Sequence, residues 1–443
     1  MMSELLWKKD GASGPDAALM DFLSGEDVVL DRDLLLFDIQ ASAAHANGLR
    51  EIDILSVEEN RKIQAALKTI AADFAQNKRI LDDRFEDGHS AIEAWLTEIL
   101  GPLGAKIHTG RSRNDQVAVA MRLYIKHSLK GLAGLCCQIA DRFIERADRD
   151  SNIPMPGHTH LQKAMPSSAG LWLAGHAEGF IDNAEFAAKV YECIDASPLG
   201  TASGFGINLP LAREQVASEL KFSRLLINPQ YAQNARGKVE LMALSALAAA
   251  TLDLRRLAWD LSLFTSGEFG YVKLPDRYCT GSSIMPNKNN PDVIELLRAT
   301  HALVIGAQAE LNDLLSLPSG YHRDLQSTKP PFMRAFNKGI KALALLPDLV
   351  TDFEWNEERL LASIGPELYA TDLATDLAKQ GIPFREAYRK VAQSLAEVQA
   401  SDLQTILQAR VSPGASGNLR LDILRSRLAE LMTAPNGQSG LNL

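Results

Sequence analysis

Val117-Ala-Val-Ala-Met-Arg-Leu-Tyr-Ile-Lys-His-Ser-Leu-Lys-Gly-Leu-Ala-Gly-Leu-Cys-Cys-Gln-Ile-Ala-Asp-Arg-Phe143 decides the fold class. Its apolar positions fall at Val117, Met121, Ile125, Leu129, Leu132, Cys136, Ile139 and Phe143, in steps of three and four. That spacing draws one apolar stripe along a helix of about eight turns, with Arg122, Lys126, Lys130 and Asp141 off the stripe. Similar patterns run over about 167–196, 239–265, 291–315 and 331–350. Four or five such helices, each roughly 30–45 Å long at 1.5 Å per residue, predict an elongated bundle.

Outward from this stretch the character changes. Residues 1–107 carry shorter helical patterns, such as Val57–Gln76 behind a Ser56 cap with Glu59 at the capping-box position, and Ala91–Leu100. After Trp355 the helices shorten again, and Val411–Asn418 is a Pro/Gly/Ser loop. The expectation is an all-α chain in three segments: an N-terminal helical domain (1–107), a central long-helix bundle (108–355) and a C-terminal helical domain (356–443). No alternation of strand type persists for six residues, and no internal repeat of 20–50 residues is present.

Composition agrees with packed helices. Aromatic residues make up only 6% of 443 residues, whereas β-rich chains draw on aromatic and β-branched types. A net charge of −9 argues against a nucleic-acid partner, which calls for a basic surface. Met1–Leu6 runs straight into Lys8, Lys9 and Asp10 without an apolar signal core, and no run of about 18 apolar residues suggests a membrane span. Cys136, Cys137, Cys193 and Cys279 lack C-x-x-C spacing and read as reduced thiols of a cytoplasmic protein.

The joints between the long helices are longer than turns require and hold the most specialised residues. Thr109-Gly-Arg-Ser-Arg-Asn-Asp-Gln116 brings Arg111, Ser112, Arg113 and Asn114 together, fork-shaped donors and amides suited to a substrate with several carboxylates. The plainer alternative is a helix entrance capped by Asn114 or Asp115. Gly157-His-Thr-His-Leu-Gln162 offers an imidazole that can carry a proton near neutral pH. A metal reading of this H-x-H pair lacks a third ligand at suitable spacing, so no metal is expected. Gly281-Ser-Ser-Ile-Met-Pro-Asn-Lys-Asn-Asn-Pro-Asp292 places hydroxyls and Lys288 before a helix for which Asn290 is the expected cap, with Asp292 and Glu295 in its first turns. Leu317–Lys329 adds Tyr321, Arg323, Gln326 and Lys329, and taken alone reads as a polar connector. Gly200–Gly206 imitates a phosphate loop but lacks the preceding strand and the following Lys-Ser/Thr.

Together these segments resemble the argininosuccinate lyases of the fumarase/aspartase superfamily. Gly281–Pro291 matches that superfamily's G-S-S-x-M-P-x-K-x-N-P signature at every fixed position, and T-G-R-S-R-N-D-Q with P-S-x-Y-x-x-D-L-Q narrows it. Weaker similarity runs from Asp38-Ile-Gln-Ala-Ser-Ala-Ala-His45 to Arg385. The resemblance implies a homotetramer with a shared helical core and active sites built from loops of three subunits. It also implies cofactor-free elimination of arginine from argininosuccinate to leave fumarate. By position it makes Ser282 and His160 the catalytic pair, in either order of base and acid, with Glu295 raising the basicity of the histidine. It places Asn114, Thr159, Asn290, Tyr321, Gln326 and Lys329 at substrate-binding positions, and Arg111, Ser112, Arg113, Gln162, Ser283, Lys288 and Arg323 lie in the same motifs. The alternatives are another fumarate-releasing lyase, such as adenylosuccinate lyase, or a non-catalytic crystallin-like relative. Two departures stand out. The usual N-terminal W-G-G-R-F is replaced by Trp7-Lys-Lys-Asp10, and where many members carry a substrate-contacting serine this chain offers Asp27, with Ser24 close by. The reading of the arginine end is left open by both.

Overall fold

Helix-forming sequence dominates the computed structural model, which describes residues 19, 22–23, 26–399 and 402–433. Ser24 and the Trp7–Asp10 stretch lie outside the described residues. The long helices are Arg113–Arg149, Ala169–Ile194, Lys238–Phe264 and Asp292–Leu314. The pattern expected over 331–350 is two helices, Lys329–Leu343 and Leu346–Asp352. The chain turns just ahead of Pro347, whose ring cannot continue a helix from the preceding turn.

The chain forms two compact units, each discontinuous in sequence. The first gathers the described residues up to Lys130 with Lys189–Ala246 and Ile305–Asn337; the second holds Gly131–Ala188, Leu247–Val304 and the chain from Lys338 onward. The divisions fall inside long helices.

In the first unit, a helix at Asp27–Glu51 packs against Val57–Ala75 and Gly88–Leu100. Ser56 and Glu59 close the expected capping box, and Asp87 with Ser90 forms a second one. The 25-residue helix Asp27–Glu51 was not among the long patterns anticipated. It is buried on two sides: Leu35, Ile39, Ala46 and Leu49 join one core cluster, and Phe37, Ala41 and Ala44 join another with Val119, Leu123 and Phe222. Asp31, Asp38, Ser42 and His45 are buried between these faces. A helix enclosed in this way shows no polar stripe, so the 3.6-residue period is masked.

The second unit packs the later turns of Arg113–Arg149 against helices that follow. Phe143 stacks on His176 and Phe180 at centroid distances of 5.4 and 6.1 Å. Asn183 donates to Asp253 at 2.7 Å, and the Trp172 indole donates to Asp260 at 2.8 Å. These bonds satisfy polar groups that would otherwise penalise helix contact.

One local departure matters for function. Pro154–Thr159 and Gln162–Ser168 form an antiparallel hairpin in a stretch where no strand was expected. Prolines at 154, 156 and 166 and the Gly157/His158 bulge break the alternation by which a strand is recognised.

Candidate functional site

Thr159 pairs with Gln162, leaving His160 and Leu161 as a two-residue turn. Both sit at positive φ, 54° and 58°. A tight hairpin turn of the primed type demands this conformation and normally recruits Asn or Gly. Histidine and leucine adopt it only at a cost of roughly 1–2 kcal/mol each, so the surrounding hairpin must enforce it. The result is an exposed tip bearing Thr159, His160 and Gln162. Behind the tip, the His158 ring packs against Phe269 and Tyr271 at 5.9 and 6.3 Å. Burial pushes the His158 imidazole below its usual range, which leaves it neutral.

In the same unit, Thr280–Gly281 pairs with Asn289–Asn290 and closes the Ser282–Lys288 loop. Asn290 therefore contributes to a short ladder, and the residue before the Asp292–Leu314 helix is Pro291. Within the loop the Ser282 hydroxyl oxygen accepts the backbone N–H groups of Met285 (3.0 Å) and Ile284 (3.3 Å). Donors aimed at an oxygen favour its deprotonated form. Ser283 and Lys288 are exposed on this loop, and Glu295 is exposed one turn into the helix.

The remaining expected site residues belong to the first unit. Ser112 receives the backbone N–H of Asn114 at 3.3 Å, while Asp115 accepts the backbone N–H of Ser112 at 2.9 Å. The helix entrance is thus a reciprocal cap with Ser112 as the capping residue, and neither Asn114 nor Asp115 takes that place. The second oxygen of Asp115 accepts the N–H groups of Gly200 and Ala202, both at 3.0 Å. The glycine loop that imitates a phosphate cradle does hold an anion, and the anion is internal. Positive φ at Gly200 (85°) and Ala202 (50°) turns these amides toward it. Burial drives the Asp115 carboxyl up to about 6 despite the three amide donors.

Arg111 is buried and donates to the Ser42 hydroxyl at 2.8 Å. Arg113 pairs with Glu86 (2.8 Å) and with Asp87. Both guanidinium groups are therefore engaged by side chains of their own unit. Burial opposes the charge on His89, but Asp38 and Asp87 outweigh it and raise the imidazole above its ordinary range. His45 behaves oppositely: burial and Arg111 push it down to about 3, and its neutral ring donates Nε2–H to the Thr109 carbonyl at 2.9 Å. Lys329 is 4% exposed and sits 2.7 Å from both Asp27 and Asp31. Burial works against its ammonium, and the two carboxylates reverse that and raise it. Gln326 and Arg323 donate to the Leu23 carbonyl at 2.6 and 3.0 Å. Tyr321 lies under the Arg236 guanidinium, 5.3 Å from its ring centroid.

Sequence reasoning missed Asp31, Asp38, Asp87 and His89, because each stands alone within a helical segment or its cap. Only their convergence around Arg111, Arg113 and Lys329 marks them. Among the described residues no group of His, Cys, Asp and Glu is arranged to hold a metal ion, and no helix is long and apolar enough to cross a membrane. All four cysteines are free thiols.

Comparison with known proteins adds the remaining information. The family described as Lyase matches residues 20–306, and the family described as Argininosuccinate lyase C-terminal matches residues 367–411. Argininosuccinate lyases of Xanthomonas axonopodis pv. citri and Stenotrophomonas maltophilia are each 55% identical over 427 residues, covering 96% of this chain and 99% of theirs. Among solved structures, an EDDS lyase variant with bound fumarate superposes with a TM-score of 0.76 at 20% identity, covering 95% of this chain and 91% of that one. A class II fumarase from Schistosoma mansoni gives 0.69 at 18% identity, covering 85% and 90%. These two support the helical superfamily fold. Near-complete coverage at 55% identity, joined to the Gly281–Pro291 signature, shows that the chain belongs to the argininosuccinate lyase family of the fumarase/aspartase superfamily.

Proposed function

We propose that this chain eliminates arginine from argininosuccinate to release fumarate, with Ser282 as the base and His160 as the acid. The observation that carries the assignment is the Ser282 hydroxyl receiving two backbone N–H groups in its signature loop. Removing the Cβ proton beside a carboxylate builds a second negative charge on that carboxylate, so the barrier is chiefly electrostatic. Fixed donors around it are worth about 3–4 kcal/mol each in comparable oxyanion sites. Lys288, the loop amides and the N-terminus of the Asp292–Leu314 helix are the groups in this chain suited to that task. Proton transfer to the departing guanidino nitrogen by His160, with Glu295 as its partner, contributes roughly 10²–10⁴-fold. The left-handed turn presents the imidazole at an exposed tip, where a substrate can reach it.

Ser112, Asn114, Thr159, Gln162, Ser283 and Asn290 are assigned to substrate binding, as are Tyr321, Arg323, Gln326 and Lys329. Arg111 and Arg113 are assigned to the same loop as Ser112 and Asn114. The reaction as written needs no metal or organic cofactor, because the guanidine leaves once protonated. The assembly proposed is a cytoplasmic homotetramer in which each active site gathers loops from several subunits. Ser282→Ala should abolish fumarate release, followed by ultraviolet absorbance, while argininosuccinate still binds. Mixing inactive Ser282→Ala and His160→Asn chains after joint refolding should regain activity if subunits share sites. Substantial turnover by Ser282→Ala alone defeats the assignment.

A further inference from the structure

Asp115 lies in the first turn of the Arg113–Arg149 helix and is fully buried. Three backbone N–H groups converge on its two carboxylate oxygens: Ser112 at 2.9 Å on one, Gly200 and Ala202 at 3.0 Å on the other. One side chain thereby ties the loop that carries Ser112 and Asn114 to the glycine loop at 200–206. That loop is braced in turn by the Thr201 carbonyl, which accepts the N–H groups of Gly204 (3.1 Å) and Gly206 (3.3 Å). Ala202 holds a φ of 50°, a conformation that L-residues avoid, and its amide reaches Asp115 in that conformation. An ionised aspartate only accepts, so all three donors are met; a proton on the carboxyl turns one acceptor into a donor facing an N–H. Burial raises the carboxyl to about 6, against the pull of the amides and of Arg111. Unfolded Asp loses its proton near 3.9, so the ionised clamp lowers folding stability as pH rises from about 4 to 6, and the deficit is complete above 6. A buried charge kept at that cost points to work at the site rather than to holding the fold.

We propose that Asp115 is a positioning residue for the lyase reaction: its carboxylate fixes Asn114 against the backbone of the glycine loop, and substrate binds well only while that clamp is ionised. The proposal rests on the reading under Proposed function that assigns Ser112 and Asn114 to substrate binding. The charges acting on the clamp are Arg111 of the same loop and Arg213 of the Arg213–Glu219 helix, whose guanidinium donates to the carbonyls of Leu199 (3.1 Å) and Leu226 (2.6 Å). On the Asp27–Glu51 helix, Asp38 acts on Arg111 and His45 bonds Thr109, while the glycine loop carries no titratable side chain. If the neutral clamp binds about 10-fold more weakly, titration near 6 costs about 5-fold in affinity between pH 8 and pH 5.

Calorimetric titration of argininosuccinate into full-length Ser282→Ala and Ser282→Ala/Asp115→Asn chains, from pH 8 to pH 5, tests this. Asparagine keeps the shape of the side chain and stays neutral throughout. At pH 8 the Asp115→Asn change should weaken binding about 10-fold, and the gap should close to about 2-fold at pH 5, since contributions common to both proteins cancel. A gap of the same size at both pH values reduces Asp115 to a structural cap and overturns the proposal, and so does equal affinity at pH 8. Should Asp115→Asn prevent folding, Ser282→Ala/His160→Asn chains decide, because the imidazole of the site can no longer titrate. There, a loss of about 5-fold from pH 8 to pH 5 supports the clamp, and constant affinity overturns it. If the Proposed function itself is wrong, the unmodified chain will release no fumarate and the Ser282→Ala chain will bind no argininosuccinate at any pH, and both readings fall. Fumarate release with binding that shows no pH-dependent gap removes the clamp alone.

Discussion

Lowering the pH should destabilise the Thr109–Gln116 loop through His45. The imidazole is 3% exposed, donates to the Thr109 carbonyl and is held near pKa 3 by burial and by Arg111. Its unfolded value is about 6.5. The folded pKa lies below the unfolded one, so between roughly pH 3 and 6.5 the unfolded chain binds the extra proton. Stability from this group is complete above pH 6.5 and declines as pH falls. Integrating between those two values gives a loss of about 2 kcal/mol at pH 5 and about 3 kcal/mol at pH 4. Other groups titrate in this range, and His89 acts in the opposite sense because its folded pKa is raised. The comparison is therefore with His45→Gln, whose amide keeps a donor for Thr109 and does not titrate. Urea midpoints of the two proteins, measured from pH 7.5 to pH 4.5, isolate the histidine, since contributions common to both cancel. The gap between them should shift by about 2 kcal/mol in favour of the glutamine variant on going to pH 5. Parallel profiles would refute the claim that His45 is buried neutral.

Two further substitutions probe the fold around the site. Lys329→Met leaves Asp27 and Asp31 facing each other without their cation, and should cost about 3–5 kcal/mol at pH 7. Thermal unfolding should show that deficit shrinking toward pH 5 as a carboxyl takes up a proton, and a pH-independent deficit would contradict the charge argument. Leu161→Gly should raise hairpin stability by about 0.5–1 kcal/mol. Relief of the left-handed strain exceeds the extra chain entropy of glycine, and a side chain 69% exposed gives up little packing. Slower amide exchange at Thr159 and Gln162 is the readout, and faster exchange there would mean that Leu161 is not strained.

Much of this chain can be read from its residues alone. The three-and-four spacing from Val117 to Phe143 dictates a long helix wherever the chain finds an apolar partner, because periodicity is a local property. The structure extends that helix to Arg113–Arg149. The Ser56/Glu59 box is equally local and forms as written. The Gly281–Pro291 signature identifies the family because its residue types recur in fixed order.

Three features needed the tertiary structure. The helix Asp27–Glu51 is enclosed on two faces, which removes the amphipathic signal. The His160–Leu161 turn is imposed by strand pairing on either side, since neither residue favours positive φ by itself. Apart from the local Ser112 N–H on Asp115, the internal partners of Arg111, Arg113, Asp115 and Lys329 come from 26 to 302 positions away along the chain. Sequence supplies the charges, but only folding decides which of them meet and how far water is excluded between them. Those two quantities set whether a charged side chain holds the scaffold together or remains available to a ligand.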